Sequence, residues 1–130
     1  MSQWSDYDLE AKITAILQDV RDYKEGYHLG RPFLTAYQIT IAFAQRHPED
    51  FANLGKPIGG AGTGQYDSLS KYIAGELSKR IKNGRIQHIE GAPLSNQHLR
   101  AILFSHGTEE IRSSLTETQY TLSMFRLRES

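Results

Sequence analysis

The chain has 130 residues, 15 basic and 15 acidic side chains, and no cysteine. That length suits one compact domain able to bury a core without covalent staples. Zero cysteines exclude disulfides and thiolate metal sites, and a balanced total charge disfavours tight non-specific binding of nucleic acid by the chain as a whole.

No apolar run approaches the ~20 residues needed to span a bilayer. The start, MSQWSDYDLEAK, is polar and acidic, unlike a secretory signal. The expectation is a cytoplasmic protein with no membrane partner. Charge is spread unevenly: −3 over residues 1–27, +1 over 28–58, +3 over 59–104 and −1 over 105–130. The positive excess begins with a glycine-rich loop.

Residues 5–25 predict one amphipathic helix. Leu9, Ile13, Ile16, Leu17, Val20 and Tyr23 recur at three- and four-residue steps, Ser5 is the candidate cap, and Gly26 is the stop. Gly30 and Pro32 interrupt the connector that follows. Thr35 caps a second helix running to Arg46, apolar around most of its circumference and so central and buried. His47-Pro48 ends it, and Pro48-Glu49-Asp50 opens a short third helix that closes at Leu54-Gly55.

Gly59, Gly60, Gly62 and Gly64 then fall within six residues, ahead of a fourth helix capped by Asp67 or Ser68. Leu69, Tyr72, Ile73, Leu77 and Ile81 give this helix its apolar face, and Asn83-Gly84 is its stop. Ile86 and Ile89 mark a strand, Ala92-Pro93-Leu94-Ser95-Asn96 a turn, and residues 97–104 a returning strand or a short helix. Thr108-Glu109-Glu110 is read as the cap of a further short helix ending near Leu115. The tail from Tyr120 to Arg128 is read as an edge strand or a docking segment.

The stretch SLSKYIAGELSKRIKNGRIQHIEGAPL follows two helices with a basic amphipathic helix and an apolar strand. That order resembles a winged helix, in which a helix-turn-helix precedes a β-hairpin. The resemblance covers residues 35–104 and is architectural. It implies a mainly α fold with a small β component in a single domain, 1–130. The N-terminal helix would occupy 1–26, the winged-helix-like core 35–104 and a C-terminal extension 105–130.

The chemistry of the loop is limited. Gly59 and Gly64 stand at phosphate-loop spacing, but Gln65-Tyr66 occupy the places of the lysine and hydroxyl that would hold phosphate and magnesium. The five histidines form no helical ligand pair, and no serine sits in a nucleophile elbow. No catalytic residue, metal or cofactor is therefore expected. Lys71, Lys79, Arg80, Lys82 and Arg85 remain as a basic set able to neutralise phosphates. Gly59, Gly60, Gly62 and Gly64 would let the helix start come close to a nucleic-acid backbone. The leading expectation is a non-enzymatic nucleic-acid-binding or regulatory module, with DNA as partner. A second is a protein-interaction adaptor or homodimer built on the first helix and the C-terminal strand. A third is an anion or nucleotide site at the glycine loop.

Overall fold

The computed structural model describes residues 2–21, 26–60, 68–99, 101–113 and 122–128. Five helices and five strands lie within them, a mixed α/β architecture with more helix than strand.

The first helix is broken in two. Helix α1 spans Gln3–Asp6 and α2 spans Leu9–Gln18. Ser2 rather than Ser5 is the cap, its hydroxyl accepting from the Ser5 amide at 3.3 Å. Between the two helices Asp8 takes a left-handed conformation, φ 52°, which Asp tolerates better than most residues. The break folds α1 back so that Trp4 is buried. Leu9, Ile13, Ile16 and Leu17 of α2 are buried on one stripe, as their spacing predicts. The helix ends at Gln18, well before Gly26, and Arg31 reaches this end. The Arg31 guanidinium donates to the carbonyls of Gln18 and Val20, each at 2.9 Å, and so supplies the end with hydrogen-bond partners.

Helix α3 spans Ala36–Arg46 and opens with a capping box. Thr35 Oγ1 accepts from the Gln38 amide at 3.2 Å, while Gln38 Oε1 accepts from the Thr35 amide at 2.8 Å. Proline at its first position starts α4, Pro48–Leu54, and Gly55 at φ 67° closes it. Helix α5 spans Leu69–Lys82. Ser68 is its cap, the hydroxyl accepting from the Lys71 amide at 3.1 Å.

The strands differ from expectation. Leu34–Thr35 forms one where a connector and a cap are predicted, and the strand marked by Ile86 and Ile89 begins only at Ile89. Strand β1 is Leu34–Thr35, β2 is Ile89–Leu94 and β5 is Leu122–Leu127; they form one antiparallel sheet in the order β1-β5-β2. The tail is thus the middle strand, not an edge: Phe125 faces Leu34 on one side and Gly91 on the other. Of the turn predicted over residues 92–96, Ser95 and Asn96 lie beyond the strand, and Ala92-Pro93-Leu94 is the second half of β2. Proline is tolerated there because β2 is an edge strand. Strands β3, Leu103–His106, and β4, Glu109–Arg112, make a separate hairpin around the two-residue loop Gly107-Thr108. Gly107 has φ 61°, the conformation a glycine-first hairpin turn requires. The predicted helix at Thr108 is therefore a turn and a strand, and of the described residues in 97–104 only Leu103 and Phe104 lie in a strand, paired with β4 rather than with β2. Residues 114–120 lie outside the described residues.

Two apolar clusters hold these elements together. The larger joins α1–α2, α3 and α5 to the sheet through residues such as Trp4, Ile13, Phe43, Ile73, Leu77 and Phe125. The smaller seats the β3–β4 hairpin on α3, where Tyr37 and Phe104 stack with centroids 5.0 Å apart and planes 13° from parallel. Among the described residues no helix is long and apolar enough to cross a membrane.

Candidate nucleic-acid interface

Helix α5 has three distinct faces. Leu69, Ile73 and Leu77 are fully buried. At 100° per residue, Lys71, Gly75, Ser78 and Lys82 fall within a stripe about 60° wide, and Lys79 lies about 40° outside it on the side toward Glu76. All five are exposed. A Cβ added at Gly75 would meet nothing within 4 Å, so the middle of this stripe is open. Arg85 follows in the exposed turn after the helix, its amide donating to Asn83 Oδ1 at 3.1 Å.

Arg80 stands apart from the other four basic residues. It lies half a turn away from Lys71, on the face toward α1, and its guanidinium carbon is 5.0 Å from the centroid of the Trp4 ring. Residues 72, 76 and 80 together make a latch. The Trp4 amide donates to the Tyr72 hydroxyl at 3.0 Å, and Glu76 and Arg80 lie close enough to Tyr72 to act on it electrostatically. Glu76 in turn is 3.6 Å from the Arg80 guanidinium and 3.2 Å from Lys79 Nζ. Burial pushes the Tyr72 phenol above its ordinary value, and the carboxylate of Glu76 adds to the rise. The Trp4 amide and Arg80 pull the other way.

The glycines do not form an open cradle where they are described. Gly59 and Gly60 are buried. A Cβ on Gly59 would lie 3.0 Å from Ser68 Cβ, and one on Gly60 would lie 2.7 Å from the Arg112 carbonyl oxygen. The amides of Leu69 and Ser70 donate to the carbonyls of Pro57 and Ile58, at 2.8 and 3.1 Å. With Lys71 bound to Ser68, the first turn of α5 has spent its donors on the chain itself. Gly62 and Gly64 lie outside the described residues. So does Arg100, while Arg31 is committed to the end of α2.

Spacing along the helix picks out the lysines, but it hides what surrounds them. Ser78, Ile81 and Lys82 face Gly91, Ala92 and Pro93 of β2 across an open groove of about 280 Å³, with Phe125 and Ser123 of β5 also lining it. A second open groove, of about 600 Å³, lies on the latch side against Trp4, Glu10, Thr14 and Arg80. Gly75 and Ser78 were legible as the i+4 and i+7 neighbours of Lys71; Ser123 was not, since it arrives from β5.

The elements invoked for an adaptor are largely used internally. The apolar stripe of α2 is in the core, leaving Ala11, Ala15 and Gln18 exposed, and β5 has a neighbour on either side. Among the described residues no group of three or more His, Asp or Glu side chains could hold a metal ion. His88 lies instead 2.9 Å from the Thr14 hydroxyl. Because that hydroxyl donates to the Glu10 carbonyl at 2.7 Å, it accepts from His88, which puts a proton on Nε2. No family model, no curated protein and no solved structure matches the chain.

Proposed function

We propose that the chain is a non-enzymatic, winged-helix-like module that binds nucleic acid through the exposed face of α5. Lys71, Lys79, Lys82 and Arg85 neutralise phosphates, and Arg80 holds α1 in place. The observation that carries this reading is the stripe Lys71-Gly75-Ser78-Lys82, in which cations flank small side chains that let a polyanion approach the helix. The one acidic residue within α5, Glu76, lies on the latch side, paired with Arg80 and Lys79.

The order of elements supports the architectural half of the reading. Helices α3, α4 and α5 are followed by an antiparallel pair, β2 with β5, in the place of the wing. The wing differs from the simple form in its connection, residues 95–121, which carries the β3–β4 hairpin. Fold alone would not assign DNA as the partner, so the charged face has to be tested directly. Anisotropy of a labelled duplex at low and moderate salt does this. Wild-type protein is expected to bind at low salt and to weaken as salt rises, and Lys71→Glu with Lys82→Glu is expected to abolish binding. No binding at low salt, or equal binding by the double variant, would reject the reading.

A further inference from the structure

Strand β2 has an open side. The Arg128 amide donates to the His88 carbonyl at 2.8 Å, one step before the pair Ile89–Leu127. Bonded pairs alternate along an antiparallel ladder, so Glu90, Ala92 and Leu94 turn their backbone groups to β5, while Ile89, Gly91 and Pro93 turn theirs outward. Pro93 thus falls where its missing N–H breaks no ladder bond. Gly91 and Pro93 are exposed, and among the described residues no strand lies beyond β2. The Gly91 amide and carbonyl and the Pro93 carbonyl are held in extended geometry, facing solvent.

This edge runs beside the groove of about 280 Å³ between α5 and the sheet, which Ile81, Ala92, Pro93 and Phe125 make largely apolar. Gly91 keeps a side chain off the floor of the groove, where a Cβ would lie 3.1 Å from the Phe125 ring. Lys82 is the cation lining it, and no acid lines it among the described residues. The acid of β2, Glu90, points to the opposite face of the sheet, where Arg126 Nε donates to it at 2.7 Å.

A strand edge beside a groove suits an extended peptide: main-chain bonds give affinity, and alternate side chains give specificity. Side chains two residues apart in such a peptide share the face toward α5. One would enter the apolar groove and the other would reach Lys82, which calls for a carboxylate. A second copy of the chain fits less well. Antiparallel pairing of β2 with its counterpart leaves both α5 helices on one face and brings two Lys82 side chains to the same joint.

We infer that the open edge of β2 binds an extended acidic peptide by strand addition, with an apolar side chain in the groove and a carboxylate two positions away on Lys82. The inference does not rest on nucleic-acid binding, with which it shares only Lys82. The probe is a phage-displayed library of randomised peptides about nine residues long. Enriched peptides are expected to carry Asp or Glu two positions from an aliphatic or aromatic residue. A synthetic enriched peptide, at saturation, is expected to slow exchange of the Gly91 amide by NMR. Lys82→Glu, at an exposed position, is expected to weaken that peptide at least about tenfold, and exchanging the peptide's acid for lysine to restore binding to the variant. A melting curve establishes that the variant is folded. Enrichment of no sequence, enriched sequences without an acid, a Gly91 amide unprotected at saturation, or a Lys82→Glu variant that binds equally or is not rescued by the charge exchange overturns the inference. So does a protein that is dimeric by light scattering with Gly91 already protected, which would give the edge to a second copy.

Discussion

The Arg80 guanidinium sits 5.0 Å from the centre of the Trp4 indole and 3.6 Å from the Glu76 carboxylate. Both charged side chains are about 85% removed from solvent, at 15% and 14% exposure. A residue that looks from its spacing like one more phosphate contact is thereby part of the packing of α1 on α5. Arg80→Gln is expected to destabilise the fold by about 1–3 kcal/mol, from loss of a shielded cation–π contact and of one partner of Glu76. Trp4 is the sole tryptophan, so its emission reports the latch directly. The expected result is a lower Tm, a red-shifted emission, and duplex binding within twofold of wild type below the melting transition. Unchanged emission and Tm would show that the latch contributes nothing.

Local chemistry made the helices legible, and distant pairing hid the sheet. The Thr35 and Ser68 caps, Pro48 at a helix start and the stop at Asn83-Gly84 all act within a few residues, and the structure has each of them. The break at Asp8 leaves no mark in the periodicity, because Leu9 to Leu17 repeats equally well with or without α1 in line. Pro93 reads as a turn until β2 is known to be an edge strand, which depends on β5 arriving from more than 25 residues away. Gly107-Thr108 carries a hairpin signal, yet Thr108-Glu109-Glu110 also fits a helix cap; burial of Phe104 and Ile111 on Tyr37 and Ile41 decides in favour of the hairpin. For the site, charge and spacing gave the lysines, whereas the separation of Arg80 from them required the position of Trp4.

Removing residues 1–26 distinguishes a core element from a detachable dimer arm. Leu9, Ile13, Ile16 and Leu17 are each at most 2% exposed, and Trp4 is 3% exposed. Burying side chains of this size is worth roughly 1.5–3 kcal/mol apiece, so their joint loss is comparable with the ordinary ~5–15 kcal/mol stability of a domain. The truncated chain is expected to lose its cooperative melting transition and its far-ultraviolet helix signal. A truncated protein that still melted cooperatively, as a monomer half the size of the intact species by light scattering, would favour the dimer-arm account.

Tyr72 gives the fold a pH dependence at the alkaline end. Its phenol is raised by burial above the ordinary value of 10.0, so the folded state holds this proton more tightly than the unfolded state does. The corresponding stability is fully present below pH 10 and is lost as pH rises from there through the folded-state value. In absorbance titration one of the seven tyrosines is expected to ionise later than a free phenol, together with loss of Trp4 emission. Tyr72→Phe should remove the late step. Persistence of that step in the variant would assign it to another tyrosine.

Gly60 tests whether the glycine segment is an open loop or a packed joint. Its φ is +112°, a conformation that side chains rarely adopt, and a Cβ there would lie 2.7 Å from the Arg112 carbonyl oxygen and 2.9 Å from Ile111 Cγ2. The first of these is backbone and cannot swing away, so relief requires β4 to move. Gly55 serves as the control: its φ is +67°, and an added Cβ meets nothing within 4 Å. Gly55→Ala should cost about 1–2 kcal/mol from backbone conformation alone. Gly60→Ala adds overpacking of about 1–3 kcal/mol to a conformational penalty of its own. Urea midpoints at constant m-value give the comparison. Equal losses for the two variants would mean that Gly60 is not pressed against β4, and the closed start of α5 would lose one of its supports. A larger loss at Gly60 would tie the glycines to the seating of the hairpin and the cap of α5, which is where a change in either would reach the lysine face.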